Sequence, residues 1–145
     1  VLEQTFTSPK AKVEDQLVLR PFPQSTEGGL PLSALWSKYR EDMINHAGIA
    51  LFLFGNKTDG KKLLLSNGMR EEYEIAKSKG LFLIPVGATG YMAEELWNEK
   101  NSEIQNCAGT SDEMKKLFSD IGDSKAKSEE LIESVIKIIN LMDRE

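Results

Sequence analysis

The stretch IALFLFGNKTDGKKLLLSNGMREEYEIA, from Ile49 to Ala76, decides the fold. It begins as an apolar run, passes through a polar loop flanked by glycines, and ends in an amphipathic helical pattern. A continuous apolar run of this length indicates a strand that is covered on both faces. A second run of this kind, GLFLIPVG from Gly80 to Gly87, follows the helical pattern. Strand, helix and strand in this order predict a parallel crossover, and therefore an α/β fold with a Rossmann-like open parallel sheet flanked by helices.

Further elements are predicted on both sides of this unit. They are a strand over Asp15–Pro23, a helix from Ser33 as N-cap to about His46, the crossover helix from Ser66 or Asn67 to about Lys79, a short helix capped by Thr89, and a last helix over Ser128–Met142. The last helix carries an apolar stripe, which predicts docking against the sheet; a contact with another subunit is the alternative.

Composition excludes several classes of function. The 145 residues suit a single domain, and a net charge of −5 argues against a broad basic surface that would coat nucleic acid or an anionic membrane. Cys107 and His46 are the only cysteine and histidine, so no metal site is expected. The sequence has no apolar stretch of about 20 residues and no recognisable signal peptide, which favours a cytoplasmic location.

Two glycine-containing loops follow the two apolar strands. Gly55 lets the backbone approach a ligand closely, and Lys57 supplies a cation two residues later. In the second loop, Gly87 and Gly90 flank Thr89 at a helix start, where backbone N–H groups and the helix dipole favour an anion. Side by side, the two loops predict a diphosphate site, although turn glycines and solvated surface lysines remain the ordinary alternative.

Arg40 and Glu72 are the next candidates. Arg40 lies beside the apolar stripe of the first helix, and Glu72 lies in the first turns of the crossover helix. A carboxylate in that position can accept hydrogen bonds from ribose hydroxyls. A structural Arg–Glu pair, or two unrelated surface charges, explains the same spacing.

Together these motifs resemble a known family. The segments KYREDMINHAGIALFLFGNK, SNGMREEYEIA and GLFLIPVG resemble the LOG and Smf/DprA-like group of Rossmannoid domains, called SLOG. GNK, NGMREEYEIA and IPVGATG are most similar to the subgroup that accompanies sirtuin-like and TIR domains. The likeness extends from about Val1 to the last helix.

The resemblance implies a sensor from the Thoeris antiphage system. Residues 1–145 would be the C-terminal nucleotide-sensing domain of a larger protein, in which an N-terminal sirtuin-like domain hydrolyses NAD+ within a homotetramer. The ligand would be a cyclic ADP-ribose isomer made by a TIR-domain partner. This chain would bind without catalysing and would hold no cofactor, and the first strand or strands of the family's sheet would precede Val1.

The resemblance also implies the site. Arg40 and Lys57 would neutralise the diphosphate, and Glu72 would accept ribose hydroxyls. The full set of ligand-binding residues would be Arg40, Gly55, Asn56, Lys57, Gly68, Glu72, Gly87, Thr89 and Gly90. Two alternatives stay open: a LOG-like nucleoside-monophosphate phosphoribohydrolase using Glu72 and Arg40, and a structural domain that oligomerises through its last helix. The LOG enzymes carry a PGGxGT loop where this chain has FGNKTDGKKLLLSNGM, which argues against the enzyme.

Overall fold

The computed structural model describes residues 25 and 31–142. The chain divides into two compact units, Val1–Met43 and Ile44–Glu145. The predicted strand over Asp15–Pro23 lies outside the described residues. The elements, in chain order, are α1 (Leu32–Ile44), β1 (Ile49–Phe52), β2 (Asn56–Asp59), β3 (Lys62–Leu65), α2 (Asn67–Ser78), β4 (Phe82–Pro85), a 3-10 turn (Gly87–Thr89), α3 (Tyr91–Asn106), α4 (Asp112–Asp120) and α5 (Ser128–Met142).

Helix α1 begins slightly earlier than the sequence predicts. The N–H groups of Ala34 and Leu35 donate to the carbonyl of Pro31, so the first helical hydrogen bonds form at Pro31. Ser33 therefore lies inside the helix, and its prediction as the N-cap is wrong. Proline suits this position because its fixed φ matches a helix entry and it has no N–H to leave unpaired.

The predicted parallel crossover is confirmed. Strand β1 pairs in parallel with β4, in a register that places Ile49 opposite Phe82 and Phe52 opposite Pro85. Helix α2 connects them and begins where predicted, because the Ser66 hydroxyl caps it by accepting from the Met69 N–H at 3.3 Å. A side-chain cap of this kind satisfies one of the N–H groups that a helix start leaves open.

Strand β4 is buried on both faces, as a parallel strand in an α/β protein should be. Successive side chains point to opposite faces, so Leu83 joins one apolar cluster and Ile84 the other. Tyr73 of α2 and Leu96 of α3 pack in the first cluster. The second cluster contains apolar residues of α4 and α5. The resulting mixed α/β domain, with a small parallel sheet between helices, confirms the predicted fold class.

The segment between Gly55 and Gly68 differs from the prediction of a loop. Strands β2 and β3 form an antiparallel hairpin, with Asn56 opposite Leu65 and Asp59 opposite Lys62. Gly60 adopts a φ of +61° in the two-residue turn, a conformation that favours glycine. The hairpin therefore presents a defined surface at the end of β1.

Helix α5 has the bounds that the sequence predicts, but only part of its stripe is covered. Ile138 is fully buried, and Leu131, Val135 and Ile139 pack against the same cluster. Ile132, at 54% exposed, does not share that burial. Docking is thus confirmed for all residues of the predicted stripe except Ile132.

Candidate functional site

The carboxyl ends of β1 and β4 bring the two predicted loops together. The backbone N–H of Phe54 donates to the Thr89 hydroxyl oxygen at 2.8 Å. The carbonyl of Phe54 accepts from the Ala93 N–H in the first turn of α3 at 2.9 Å. In open α/β sheets, ligands bind at this edge.

Gly55 is a packing position in the folded chain. Its φ is +86°, and a Cβ built on it would lie 2.5 Å from Met69 Sδ and 2.8 Å from Met92 Cβ. The sequence predicts that the missing side chain leaves room for a ligand; in the structure, methionines of α2 and α3 fill that room. Gly55 therefore allows the start of the hairpin to pack closely against both helices.

Asn56 and Lys57 lie on β2, and both are exposed. The base of the hairpin is tied to α2, because the Ser66 N–H donates to the carbonyl of Gly55 at 2.8 Å. The N-terminus of α2, with Gly68 as its second residue, is thus fixed beside the start of β2. A helix N-terminus carries a partial positive charge, so the Lys57 ammonium and this end of α2 both favour an anion.

Glu72 lies one turn along α2 from the contact with Gly55. Met69 makes that contact, and residues three apart on a helix share a side. Glu72 is half-buried, and it takes part in an interaction within the chain. The structure thus puts Asn56 and Lys57 on β2, directly after Gly55, and Gly68 and Glu72 on the adjoining α2.

The second loop is largely occupied by its own hydrogen bonds. The N–H groups of Ala88, Thr89 and Gly90 donate to the carbonyls of Ile121, Val86 and Gly87, at 3.0, 3.1 and 2.9 Å. These amides do not form the anion cradle that the glycine pattern predicts. The prediction that Thr89 caps the next helix is also wrong, since Gly90 is the N-cap of α3, with no side-chain cap.

The two glycines of this loop differ in their surroundings. Gly87 is buried, and a Cβ there would lie 2.6 Å from the ring of Trp97. Gly90 has a φ of +76°, and nothing lies within 4 Å of a Cβ built on it. Gly87 thus serves packing, whereas Gly90 combines a backbone conformation that favours glycine with open space.

Arg40 belongs to α1, in the first unit, and is 9% exposed. Arginine is rarely buried unless its guanidinium is paired, and Arg40 does take part in an interaction within the chain. Its convergence with Lys57 and Glu72 stays a prediction.

Ion pairs join α2 to α3 near the site. Arg70 donates to Glu99 at 2.7 Å and lies 3.6 Å from Glu95. Two turns further along α2, Lys77 donates to Glu103 at 2.6 Å. That hydrogen bond lowers the pKa of the Glu103 carboxyl and raises the pKa of the Lys77 ammonium. Arg70 is therefore committed to holding the helices together.

The comparisons with known proteins agree with this architecture. Residues 1–142 match the profile of STALD, the Sir2- and TIR-associating SLOG family. The chain belongs to this family. It is 40% identical over 97% of its length to the NAD(+) hydrolase ThsA of Cytobacillus dafuensis, covering 28% of that protein. It is 37% identical over 98% of its length to the NAD(+) hydrolase ThsA of Bacillus cereus strain MSX-D12, covering 29%.

A third ThsA, from Acinetobacter baumannii strain 532279, is 30% identical over 97% of this STALD chain. The chain spans between 28% and 31% of the length of these three relatives. The family resemblance that the sequence motifs suggest is therefore confirmed, for a region that makes up less than a third of each relative.

Residues 31–142 of this STALD chain lack two features. No His, Cys, Asp and Glu side chains within residues 31–142 form a group of three or more that could hold a metal ion. No helix within the same residues has the length and apolar character needed to cross a bilayer.

Sequence reasoning missed an apolar groove beside the site. It has a volume of about 320 Å³, lies between β1 and α5, and reaches the second loop. Phe54 is 54% exposed in this groove. Its φ of +60° is unusual for a residue with a side chain. The groove is lined by Leu51, Leu53, Phe54, Val86, Thr89, Ser128, Leu131, Ile132, Val135 and Ile136. The signal for it in the sequence was Ile132, which belongs to the apolar stripe of α5 and is 54% exposed in the structure.

Proposed function

We propose that this chain is a regulatory ligand-binding domain for a cyclic ADP-ribose isomer made by a TIR-domain partner. Binding would activate NAD+ hydrolysis by an attached sirtuin-like domain in antiphage defence. The observation that carries the proposal is the hydrogen bond from the Ser66 N–H to the Gly55 carbonyl, which ties the start of β2, and so the strand of Lys57, to the N-cap of α2 at the edge where ligands bind in open α/β sheets. The family, which associates with Sir2 and TIR, supports the same proposal.

The chemistry of the edge suits a cyclic nucleotide-like ligand with a pyrophosphate and two ribose rings. A pyrophosphate needs cations and N–H donors, which Lys57, Arg40 and the start of α2 supply. Two ribose rings need acceptors for their hydroxyls, and Glu72 supplies a carboxylate one turn further along α2. Asn56, Gly68 and Gly90 complete the proposed contact surface, and Gly55, Gly87 and Thr89 shape it.

The name of the relatives supports the part of the proposal that concerns NAD+ hydrolysis by an attached domain. Proteins named NAD(+) hydrolase match this chain over less than a third of their own length. We propose that residues 1–145 act as the C-terminal sensing domain of such a protein, without catalytic activity or cofactor of their own, with NAD+ as the substrate of the attached domain. A cytoplasmic homotetramer is the proposed assembly.

Activation requires two states with different affinities for the ligand. A ligand that binds both states equally shifts nothing, whatever its affinity. The elements at the carboxyl ends of β1 and β4 are hydrogen-bonded to one another. A ligand that draws Lys57 and Glu72 together would therefore favour one arrangement of the loops. That preference would be passed to the hydrolase.

The test is NAD+ hydrolysis by the longer protein that carries this chain, measured against the concentration of a cyclic ADP-ribose isomer. Wild type is expected to be activated at low ligand concentration. Lys57→Ala removes one charge-assisted hydrogen bond and should raise the half-activating concentration about 10- to 100-fold. Lys61→Ala, on the turn of the same hairpin, is the matched control and should respond as wild type does.

Two results would count against the proposal. Hydrolysis that does not respond to any cyclic isomer would refute activation by this ligand. Equal responses of Lys57→Ala and wild type would remove Lys57 from the site. Free adenine released from AMP by this chain, and lost in Glu72→Gln, would support the phosphoribohydrolase instead.

A further inference from the structure

The hydroxyl of Thr89 joins the two loops of the site. It accepts the hydrogen bond from the Phe54 N–H at 2.8 Å and donates its proton to the carbonyl of Val86, also at 2.8 Å. A phosphate oxygen can only accept hydrogen bonds, and a hydroxyl has one proton to donate. Thr89 therefore has no proton left for a phosphate in this arrangement.

The segment whose Phe54 N–H donates to Thr89 is strained. Phe54 has a φ of +60° and Gly55 a φ of +86°, so two successive residues with positive φ turn the chain from β1 into β2. For phenylalanine this conformation costs about 1–2 kcal/mol and persists only where the surroundings enforce it. The Phe54 N–H donates to the Thr89 hydroxyl, and the Phe54 carbonyl accepts from the Ala93 N–H. The Gly55 carbonyl accepts from the Ser66 N–H.

We propose that Thr89 is a positioning residue for Lys57. By fixing the N–H of Phe54, its hydroxyl holds the turn that leads from β1 into β2 and to Lys57, and it does so without touching the ligand. The effect on affinity rests on the proposed function; the effect on the turn does not.

The experiment uses three variants of the full chain. Thr89→Val removes the hydroxyl at nearly constant volume, and Thr89→Ser keeps it. Thr110→Val makes the same exchange in the turn between α3 and α4, as a matched control. Hydrogen exchange of the Phe54 amide is followed by NMR, and affinity for a cyclic ADP-ribose isomer is measured by calorimetry.

Thr89→Val should speed exchange of the Phe54 amide and weaken affinity, each about tenfold, which corresponds to one lost hydrogen bond. Thr89→Ser should restore both to within about threefold of wild type. Thr110→Val should change neither.

Several outcomes would overturn the proposal. Weaker affinity with unchanged exchange would mean that Thr89 contacts the ligand directly. Faster exchange with unchanged affinity would mean that the turn does not position Lys57. Failure of Thr89→Ser to rescue would mean that the methyl group, and not the hydroxyl, is required.

Two further measurements keep the test decisive. If Thr89→Val does not fold, rapid exchange of the Phe54 amide in the wild type would itself overturn the proposal, since a bonded amide must be protected. If the wild type binds no cyclic isomer, the proposed function fails, while the exchange measurements still decide whether Thr89 holds the turn.

Discussion

At Gly55 and Gly87 the backbone passes against large side chains. Met69 and Met92 meet the first glycine, and the indole of Trp97 meets the second. The Trp97 N–H donates to the carbonyl of Phe118 at 2.7 Å, so the ring cannot move away without breaking that bond. Both loops of the site are therefore held in place by packing.

Gly87→Ala should destabilise the fold. The added methyl group would lie 2.6 Å from the Trp97 ring, and overpacking of this kind costs about 1–3 kcal/mol. The free energy of unfolding in urea measures the loss. Gly109→Ala is the matched control, since nothing lies within 4 Å of a Cβ at Gly109. Equal free energies of unfolding for the two variants would contradict the prediction, because they would show that the Trp97 ring shifts at little cost.

At the scale of elements, α2 links the core to the site. Its buried face presents Tyr73 to Phe52 of β1, with ring centroids 5.4 Å apart, while Arg70 and Lys77 hold it to α3. The Tyr73 side chain is fully buried, and its hydroxyl has no hydrogen-bond partner among the described residues. Burial raises the pKa of Tyr73 to about 12, with smaller contributions from Glu103 and Glu99.

This pKa predicts a loss of stability at high pH. The hydroxyl of Tyr73 ionises near pH 10 in the unfolded chain but near pH 12 in the folded chain. The stability that the folded state gains from keeping this hydroxyl protonated is therefore complete below pH 10 and is lost as the pH rises towards 12. Between pH 9 and pH 11 the loss should be about 1 kcal/mol. The free energy of unfolding in urea, measured for wild type and Tyr73→Phe at both pH values, isolates the part of the loss that comes from Tyr73. Tyr91→Phe, at an exposed tyrosine, is the control and should lose as much as wild type.

Two findings would contradict this account of Tyr73. The first is a wild type that loses no more stability than Tyr73→Phe over this range. The second is Tyr73→Phe being less stable than wild type at pH 7, because removing an unpaired buried hydroxyl should be neutral or stabilising.

The elements that could be predicted are those with local signals. The bounds of α5 follow from its apolar stripe, and the start of α2 follows from Ser66 as a cap. The sequence predicts a loop where the hairpin lies, because Lys62–Leu65 does not alternate between apolar and polar residues. Asp59-Gly60 is nevertheless a turn signal of the kind found in hairpins. The positions of Gly87 and Thr89 depend on Trp97 and Phe54, which are distant in sequence, so no local pattern revealed their roles.

At the scale of the whole molecule, the proposed binding site belongs to a chain that spans less than a third of the length of its relatives. Within the unit Ile44–Glu145, hydrogen bonds of Phe54 and Gly55 join the start of the hairpin to the second loop and to the start of α2. Arg40 lies in the other unit. Binding of the ligand by Arg40, Lys57 and Glu72 is part of the proposed function.

Calorimetric titration of the full chain with a cyclic ADP-ribose isomer is the most direct test of that binding. The wild type and Lys61→Ala should bind with equal affinity, and Arg40→Ala, Lys57→Ala and Glu72→Gln should each bind at least about tenfold more weakly. Circular dichroism of each variant checks that the fold is retained. Absence of binding heat for the wild type, or equal affinities for all five proteins, would contradict the account.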